Sequence, residues 1–199
     1  MKNSLVRLLC LLSASSGLTA LAQDVQILTF DDLPDPGTYG SPVPAGYGGF
    51  QWNNFDYLDG ADFVASGYQN GVVSGMNVAF NGSGESALFN GGGLFDLNSG
   101  WLTAAWNDGL SVEVQGFAGT ALVYDNTYTL NATAPTLVVF NYLQVDSVEF
   151  ISSGGVNHGY DGSGTQFMMD NLTVTVPEPN PTMLLLFGSV LIVLQLRKR

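Results

Sequence analysis

The central part of this chain has no cationic side chains apart from a single histidine. All Lys and Arg residues of the 199-residue sequence lie near its ends, at Lys2, Arg7, Arg197, Lys198 and Arg199. Residues 23–176 hold none of them, although they carry 16 of the 17 acidic residues. Such a surface repels polyanions, which argues against a nucleic-acid partner. A carboxylate in this span has to be solvated, protonated, bound by backbone amides or bound to a metal cation, because no Lys or Arg is available for a salt bridge.

Cysteine is almost absent as well. The one cysteine, Cys10, lies in the apolar part of the N-terminal segment, so the domain that follows has no disulfide. Leu9 precedes it, where a lipoprotein attachment signal requires a small side chain, so we reject that modification.

Candidates for catalysis are equally scarce. The only histidine, His158, lies in the glycine-rich stretch 154–162, which has no nucleophile-elbow pattern. A glycosidase would need two carboxylates, and Glu113 and Glu149 alternate with apolar neighbours as outward-facing strand residues do. We therefore expect a protein that is not an enzyme, with a secreted glycan hydrolase as the least favoured alternative.

Residues 1–22 have the pattern of a secretory leader. Lys2 and Arg7 give a positive start, an apolar run begins at Leu8, and Ala20-Leu21-Ala22 is a small-x-small cleavage site. The sequence predicts cleavage by signal peptidase after Ala22 and export through the inner membrane.

Residues 23–175 form the predicted domain. Short apolar or alternating runs, such as Leu110–Phe117, are separated by Gly, Asn, Asp and Pro. About ten short strands predict an all-β fold, a two-sheet β-sandwich of jelly-roll type, with an immunoglobulin-like sandwich as the alternative. Separate strands are predicted at 86–90, 93–97 and 101–107, and again at 136–141, 146–152 and 166–176.

Two ends of this domain suggest a metal site. Met168, Asp170 and Leu172 have the same parity in the last strand, and Asp32 has the parity of Phe30 in the first. Carboxylates that point inward without a cationic partner favour a structural calcium ion, bound by Asp31 or Asp32 together with Asp170. The alternative is that Asp170 accepts hydrogen bonds from backbone amides.

Aromatic residues concentrate before residue 60. Rings flanked by Asn and Asp suit a carbohydrate, and Tyr47, Trp52, Phe55 and Tyr57 are the candidate glycan contacts. Core packing is the alternative for each ring, because large aromatic side chains are mostly buried.

Residues 176–199 have a different composition. The segment Val176-Pro177-Glu178-Pro179 is followed by a predicted transmembrane helix at 182–196 and a basic end. The apolar part is short for a membrane span, which favours a transient anchor with a cytoplasmic C-terminus.

The motif, the apolar run and the basic end, in this order, closely resemble the PEP-CTERM sorting signal. In that family a membrane transpeptidase, exosortase, is thought to recognise the Pro-Glu-Pro segment and remove the helix, and its bacteria make exopolysaccharide. The resemblance implies sorting to the cell surface or extracellular matrix.

The domain resembles a group of secreted β proteins through three segments, 28–33, 44–52 and 167–172. Carbohydrate-binding jelly rolls often end similarly, in a strand whose aspartate holds calcium; the matching residue here is Asp170. We therefore expect an exported surface protein that binds polysaccharide, the alternative being a structural or adhesive acidic protein without a small ligand.

Overall fold

A computed structural model of the protein describes residues 23–177, which form one compact unit, Gln23–Pro177. The predicted leader with Ala20 and Ala22, the motif residues Glu178 and Pro179, and the predicted helix 182–196 with its basic end lie outside the described residues. Within residues 23–177, no helix has the length and apolar character needed to cross a membrane.

The described chain is almost entirely β-structure. One short helix is present, α1 (Gly67–Asn70), with 3-10 turns at Tyr47–Gly49, Gly60–Asp62 and Gly82–Gly84. The strands are β1 (Gln23–Leu28), β2 (Ser41–Pro42), β3 (Phe50–Asn53), β4 (Phe55–Asp59), β5 (Asn77–Asn81), β6 (Ala87–Ala104), β7 (Asn107–Asp108), β8 (Leu110–Ala118), β9 (Ala121–Leu130), β10 (Thr136–Ser153), β11 (Val156–Asn157) and β12 (Phe167–Pro177).

Two 18-residue strands, β6 and β10, take part in both layers of the fold. The first half of β6 pairs with β3 and with the second half of β10, which continues to β8 and β9; we call this the front layer. The second half of β6 pairs with β12 and with the first half of β10, and this back layer continues through β5 and β4 to β2, with β1 beside β12. Ten strands are thus hydrogen-bonded into one sheet that folds over itself.

The two layers enclose an aromatic core. Phe55 of β4 lies 5.8 Å from Phe150 of β10 and 6.3 Å from Phe167 of β12, measured between ring centroids. Along β8 the buried Val112 and Val114 alternate with half-buried polar residues, as the sequence predicts. The predicted β-sandwich is confirmed. The division into short strands at 86–90, 93–97 and 101–107, and at 136–141 and 146–152, was wrong, because the extended backbone is continuous in β6 and β10 and their pairing is interrupted only by bulges. The predicted strand 166–176 is confirmed by β12.

A second, smaller core covers the outer side of the back layer. The segment between β4 and β5, which includes α1, lies over Leu58, Phe80 and Met168 and adds Tyr68 to them. Gly67 allows this close approach, since a Cβ there would lie 1.7 Å from the carbonyl oxygen of Ala104.

A bulge in β12 changes the side of the strand on which Asp170 lies. Asn171 has a φ of 51°, and the register between β12 and β6 shifts between Asp170 and Thr173. This bulge breaks the alternation, so that Leu172 belongs to the central core while Met168 belongs to the second core. The expectation that Asp170 shares the inner face with Leu172 was therefore wrong, although Asp170 is fully buried.

Candidate functional site

A wide bulge interrupts β6 where it passes from the front layer to the back layer. Asn90 pairs with Ser147 of β10, and the next pair is Phe95 with Val145. Four residues of β6, Gly91–Leu94, therefore lie opposite one residue of β10, Asp146. Bulges of this kind occur frequently beside binding sites, because they leave backbone groups outside the hydrogen-bond ladder.

The glycines of this bulge are not all needed by the fold. Among the described residues, nine glycines would accept a Cβ without any contact within 4 Å, and seven of them have a positive φ that favours glycine. The other two are Gly92 and Gly93, which have no positive φ and no atom within 4 Å of an added Cβ. Glycine inside a strand weakens it, and one reason to keep it is the close approach of a ligand to the backbone.

These glycines form one wall of an open cleft of about 470 Å³. The lining residues are Leu88, Asn90, Gly91, Gly92, Gly93, Asp146 and Ser147. The Asp146 carboxylate accepts hydrogen bonds from the backbone N–H of Gly119, at 2.5 Å, and from the Ser147 hydroxyl, at 3.1 Å. The turn between β8 and β9 thus fixes the carboxylate that faces the glycine wall. The cleft offers amide, hydroxyl, carboxylate and peptide groups beside one apolar side chain.

The cleft continues as a row of side chains across the front layer. Gln51 lies opposite Asn90, Asn90 opposite Ser147, Ser147 opposite Phe117, and Phe117 opposite Leu122. Neighbouring strands are about 4.8 Å apart, so the five positions span about 19 Å. We call this set the front row. Phe117 is half-buried and gives the row an aromatic member.

The surroundings of the cleft are acidic. The next row of the same sheet includes Glu149 and Asp125, and Glu113 lies one row further, while no Lys or Arg occurs in residues 23–177. This surface favours a ligand that donates hydrogen bonds to carboxylates and carries no negative charge. Hydroxyl groups meet that requirement.

Of the three predicted metal ligands, Asp32 lies apart from the other two. Asp32 accepts a hydrogen bond of 2.8 Å from the hydroxyl of Tyr47, which in turn accepts one from the backbone N–H of Phe30. Burial raises the pKa of Tyr47, and the Asp32 carboxylate raises it further. Asp32 therefore holds the loop after β1 in place and does not converge with Asp170.

Asp31 and Asp170 approach each other through Ser74. Asp170 accepts hydrogen bonds from the backbone N–H groups of Val73, Ser74 and Asn171 at 2.7, 2.8 and 2.6 Å. Asp31 accepts hydrogen bonds from the backbone N–H groups of Met76 and Asn77, at 2.8 and 3.0 Å, and from the Ser74 hydroxyl at 3.2 Å. Burial raises the pKa of Asp170, and the three amides oppose that shift.

This donor set does not fit the predicted calcium ion. The amide N–H groups that surround both carboxylates would repel a cation, and they already compensate the negative charge. No group of three or more His, Cys, Asp or Glu side chains placed to hold a metal is found in residues 23–177. The alternative interpretation of Asp170, as an acceptor for backbone amides, agrees with the geometry.

The aromatic residues expected to contact glycan lie mainly inside the fold. Phe55 and Tyr57 are only 2% and 3% exposed, and the Tyr57 hydroxyl donates to the carbonyl of Pro34. Neither ring has a face free for a sugar, so glycan contact through these two residues was wrong. Tyr47 and Trp52 are half-buried and pack against the central core, with the Trp52 indole N–H bonded to the Tyr47 carbonyl. Both rings therefore contribute to packing of the central core.

His158 has one strong partner. Its Nδ1 lies 2.5 Å from the Asp108 carboxylate, which also accepts the backbone N–H of Ala132 at 3.0 Å. The hydrogen bond to His158 and the Ala132 amide lower the pKa of Asp108. Asp108 lies in β7, which pairs with β11 in a separate two-stranded sheet, so these bonds join that sheet to the loop after β9. A histidine oriented by an aspartate is part of a hydrolase triad, but no serine hydroxyl of residues 23–177 is hydrogen-bonded to this ring.

Half of the predicted sorting motif is described. Val176 and Pro177 are the last residues of β12 and pair with Asp24 and Gln23 of β1. The domain thus extends two residues past the predicted boundary at 175.

Sequence reasoning missed the cleft, although one signal was visible. The run Gly91-Gly92-Gly93 is a break inside apolar, strand-like sequence. The prediction ends one strand at residue 90 and begins another at residue 93, and only the register shows that the strand continues and leaves the glycine backbone exposed.

No protein-family model matches the chain, and no curated protein matches its sequence. Among solved structures, a DUF4465 family protein from Bacteroides ovatus is similar at 11% identity and a TM-score of 0.47, covering 79% of this chain and 100% of that one. The TmCBM61 structure, solved in complex with beta-1,4-galactotriose, is similar at 9% identity and a TM-score of 0.32, covering 68% of this chain and 95% of that one. In both solved structures the similarity extends over more than nine-tenths of their own chain.

Proposed function

We propose that the protein is an exported, non-catalytic β-sandwich that binds glycan in the cleft formed by the β6 bulge. The observation that carries the proposal is the backbone at Gly92 and Gly93, which nothing in the described fold requires to be glycine, beside the polar groups of Asn90 and Asp146. A sugar ring can lie against such a backbone while its hydroxyls bond to the side chains. One carboxylate in the cleft is enough for binding but not for glycoside hydrolysis, which uses two.

Binding is tested by affinity electrophoresis of the full chain in gels that contain single polysaccharides. The variants Asn90→Ala and Gly92→Val remove a hydrogen-bonding side chain and fill the open wall. Gln23→Val, an exposed substitution on β1 in the back layer, is the matched control. We expect retardation by at least one polysaccharide, lost in both cleft variants and kept in the control. Unretarded wild-type protein across a broad panel would end the proposal, and so would equal retardation of all variants.

The cellular setting belongs to the same proposal. The leader and the Val176-Pro177-Glu178-Pro179 tail support export, transient anchoring and exosortase processing, followed by release to the cell surface or extracellular matrix. Mass spectrometry of the protein isolated from its cell envelope gives both ends of the mature chain. A mature chain that still contains residues 182–196 would contradict processing.

A second candidate is an adhesive or structural role without a small ligand. One observation favours it: the outer side of the back layer exposes the apolar side chains of Val25, Ile27, Leu137 and Val139. Exposed apolar side chains concentrated on one face are typical of assembly surfaces. Light scattering that shows concentration-dependent assembly, lost in Ile27→Ser with Val139→Ser, would support this role.

A further inference from the structure

We infer that the ligand of the cleft is a neutral polysaccharide that lies across the strands along the front row, and that uronic-acid and sulfated polymers are rejected. The inference rests on the proposed function and names the chemical class of its ligand. It follows from charge and from the register of five strands rather than from the shape of the cleft alone.

Charge is the first argument. Asp146 lines the cleft, and the adjoining rows of the same face carry Glu149, Asp125 and Glu113. The single histidine of the described chain, His158, is bonded to Asp108 of β7, which belongs to the two-stranded β7–β11 sheet and not to the sheet that carries the front row. An anionic sugar would meet carboxylates at several positions and no cation at any of them. Like charges placed opposite each other disfavour a partner strongly, whereas neutral hydroxyls bond to the same carboxylates.

The available hydrogen-bonding groups also fit a neutral sugar. Asn90 offers an amide that makes no hydrogen bond to another side chain among those described, and the bulge offers peptide groups that β10 does not pair. The Asp146 oxygens bond to Gly119 and Ser147, so this carboxylate is held in one orientation. An amide and a fixed carboxylate discriminate hydroxyl orientation, which is the usual basis of sugar specificity.

The direction of the polymer follows from the front row. On one side of the cleft lies the exposed Gln51, an amide; on the other lies the half-buried ring of Phe117. A ring that is partly exposed can stack on the apolar face of a sugar two strands away from Asn90. The polymer therefore contacts the protein at several successive residues, and a monosaccharide is a much weaker ligand than an oligosaccharide.

The test compares polymers that share a backbone and differ in charge. The full chain is run in affinity gels that contain highly methyl-esterified pectin or the same pectin after de-esterification, together with neutral galactan, mannan, xylan and β-glucan, and anionic alginate and hyaluronate. All gels contain EDTA, and a parallel set contains calcium. We expect retardation by at least one neutral polymer, with binding to each anionic polymer at least about tenfold weaker at low salt.

Variants test the direction along the front row. Phe117→Ala and Gln51→Ala lie at opposite sides of the cleft, and Thr129→Ala on β9, away from the front row, is the control. We expect weaker binding of a long neutral oligosaccharide in both row variants, unchanged binding in the control, and a cooperative melting transition in every variant, which shows that each one is folded.

Each outcome has one meaning. Retardation by anionic polymers without calcium and not by neutral ones would overturn the inference while leaving glycan binding in place. Retardation by anionic polymers only with calcium would also overturn it, since a bridging cation would then be the recognition element. No retardation by any polymer would remove the proposed function itself. If Phe117→Ala and Gln51→Ala both bind the neutral polymer as tightly as the wild type does, the proposed direction of the polymer across the strands would be overturned.

Discussion

Asp170 is the buried carboxylate on which the loop over the back layer depends. In Asp170→Ala, the N–H groups of Val73, Ser74 and Asn171 lose an acceptor. Leaving a buried donor without a partner costs about 1–3 kcal/mol. Two effects reduce this cost. Val73 is exposed enough for water to bond to its amide, and Asp170→Ala also removes the unfavourable free energy of burying a carboxylate. We therefore expect the free energy of unfolding to fall by about 2–4 kcal/mol at neutral pH.

Urea denaturation followed by tryptophan fluorescence measures this change. Asp161→Ala, in the exposed 154–162 loop, is the control and should lie within about 0.5 kcal/mol of the wild type. Each protein is measured in calcium and in EDTA, and amide compensation predicts the same value in both. A wild-type stability that drops on chelation would establish a structural cation and refute the interpretation of the amides. A loss below 0.5 kcal/mol in Asp170→Ala would refute the importance of the network.

The pH dependence of the same variant gives an independent check. The folded pKa of Asp170 lies above the ordinary value of 3.8, so the folded protein retains this proton at a higher pH than the unfolded chain does. Protonation of Asp170 therefore stabilises the folded state fully below pH 3.8, and this stabilisation is lost as the pH rises through the folded pKa. The stability difference between the wild type and Asp170→Ala should therefore widen as the pH falls from neutral. A difference that narrows in acid would show that the shift has the opposite sign.

Three further changes probe other parts of the fold. In Asp108→Asn, loss of the bond to His158 should destabilise the protein above pH 3.8. The stability difference from the wild type should shrink below that pH, because the pKa of Asp108 is lowered in the folded state. Stability titrations in which the two proteins do not converge in acid would contradict this. Gly67→Ala should unfold the α1 cover, because its Cβ would clash with the Ala104 carbonyl, and hydrogen exchange would detect the opened segment. Phe89→Ala should cost about 3–5 kcal/mol in urea denaturation, because its ring is fully buried among five other rings.

The sequence carries much of the fold and little of the site. Alternation in 110–117 predicts a half-buried strand correctly, because inward and outward residues obey one period. The same reasoning fails at Asp170, since one left-handed residue, Asn171, exchanges the two faces of the strand. Sequence periodicity gives no sign of such a bulge in advance, and the second core formed by the segment over Met168 is equally invisible to it.

The site was missed for a related reason. Aromatic residues were expected to bind the ligand because of their composition and flanks, but burial depends on which strands pair, and Phe55 and Tyr57 face the centre. Gly92 and Gly93 have no side chain from which a role could be inferred. Their importance appears only when the space around a Cβ and the backbone dihedral are known together.

The pairing of β12 has a mechanical consequence for a protein held at its carboxyl side. Pro177 ends a strand that is bonded to β1 along Leu172–Pro177 and to β6 on its other edge. A pull along the chain at Pro177 acts parallel to both ladders and loads their hydrogen bonds together in shear, instead of opening them one after another. The same two ladders join the first strand of the domain to its last, so force is spread over the central sheet before it reaches the cleft on the front layer.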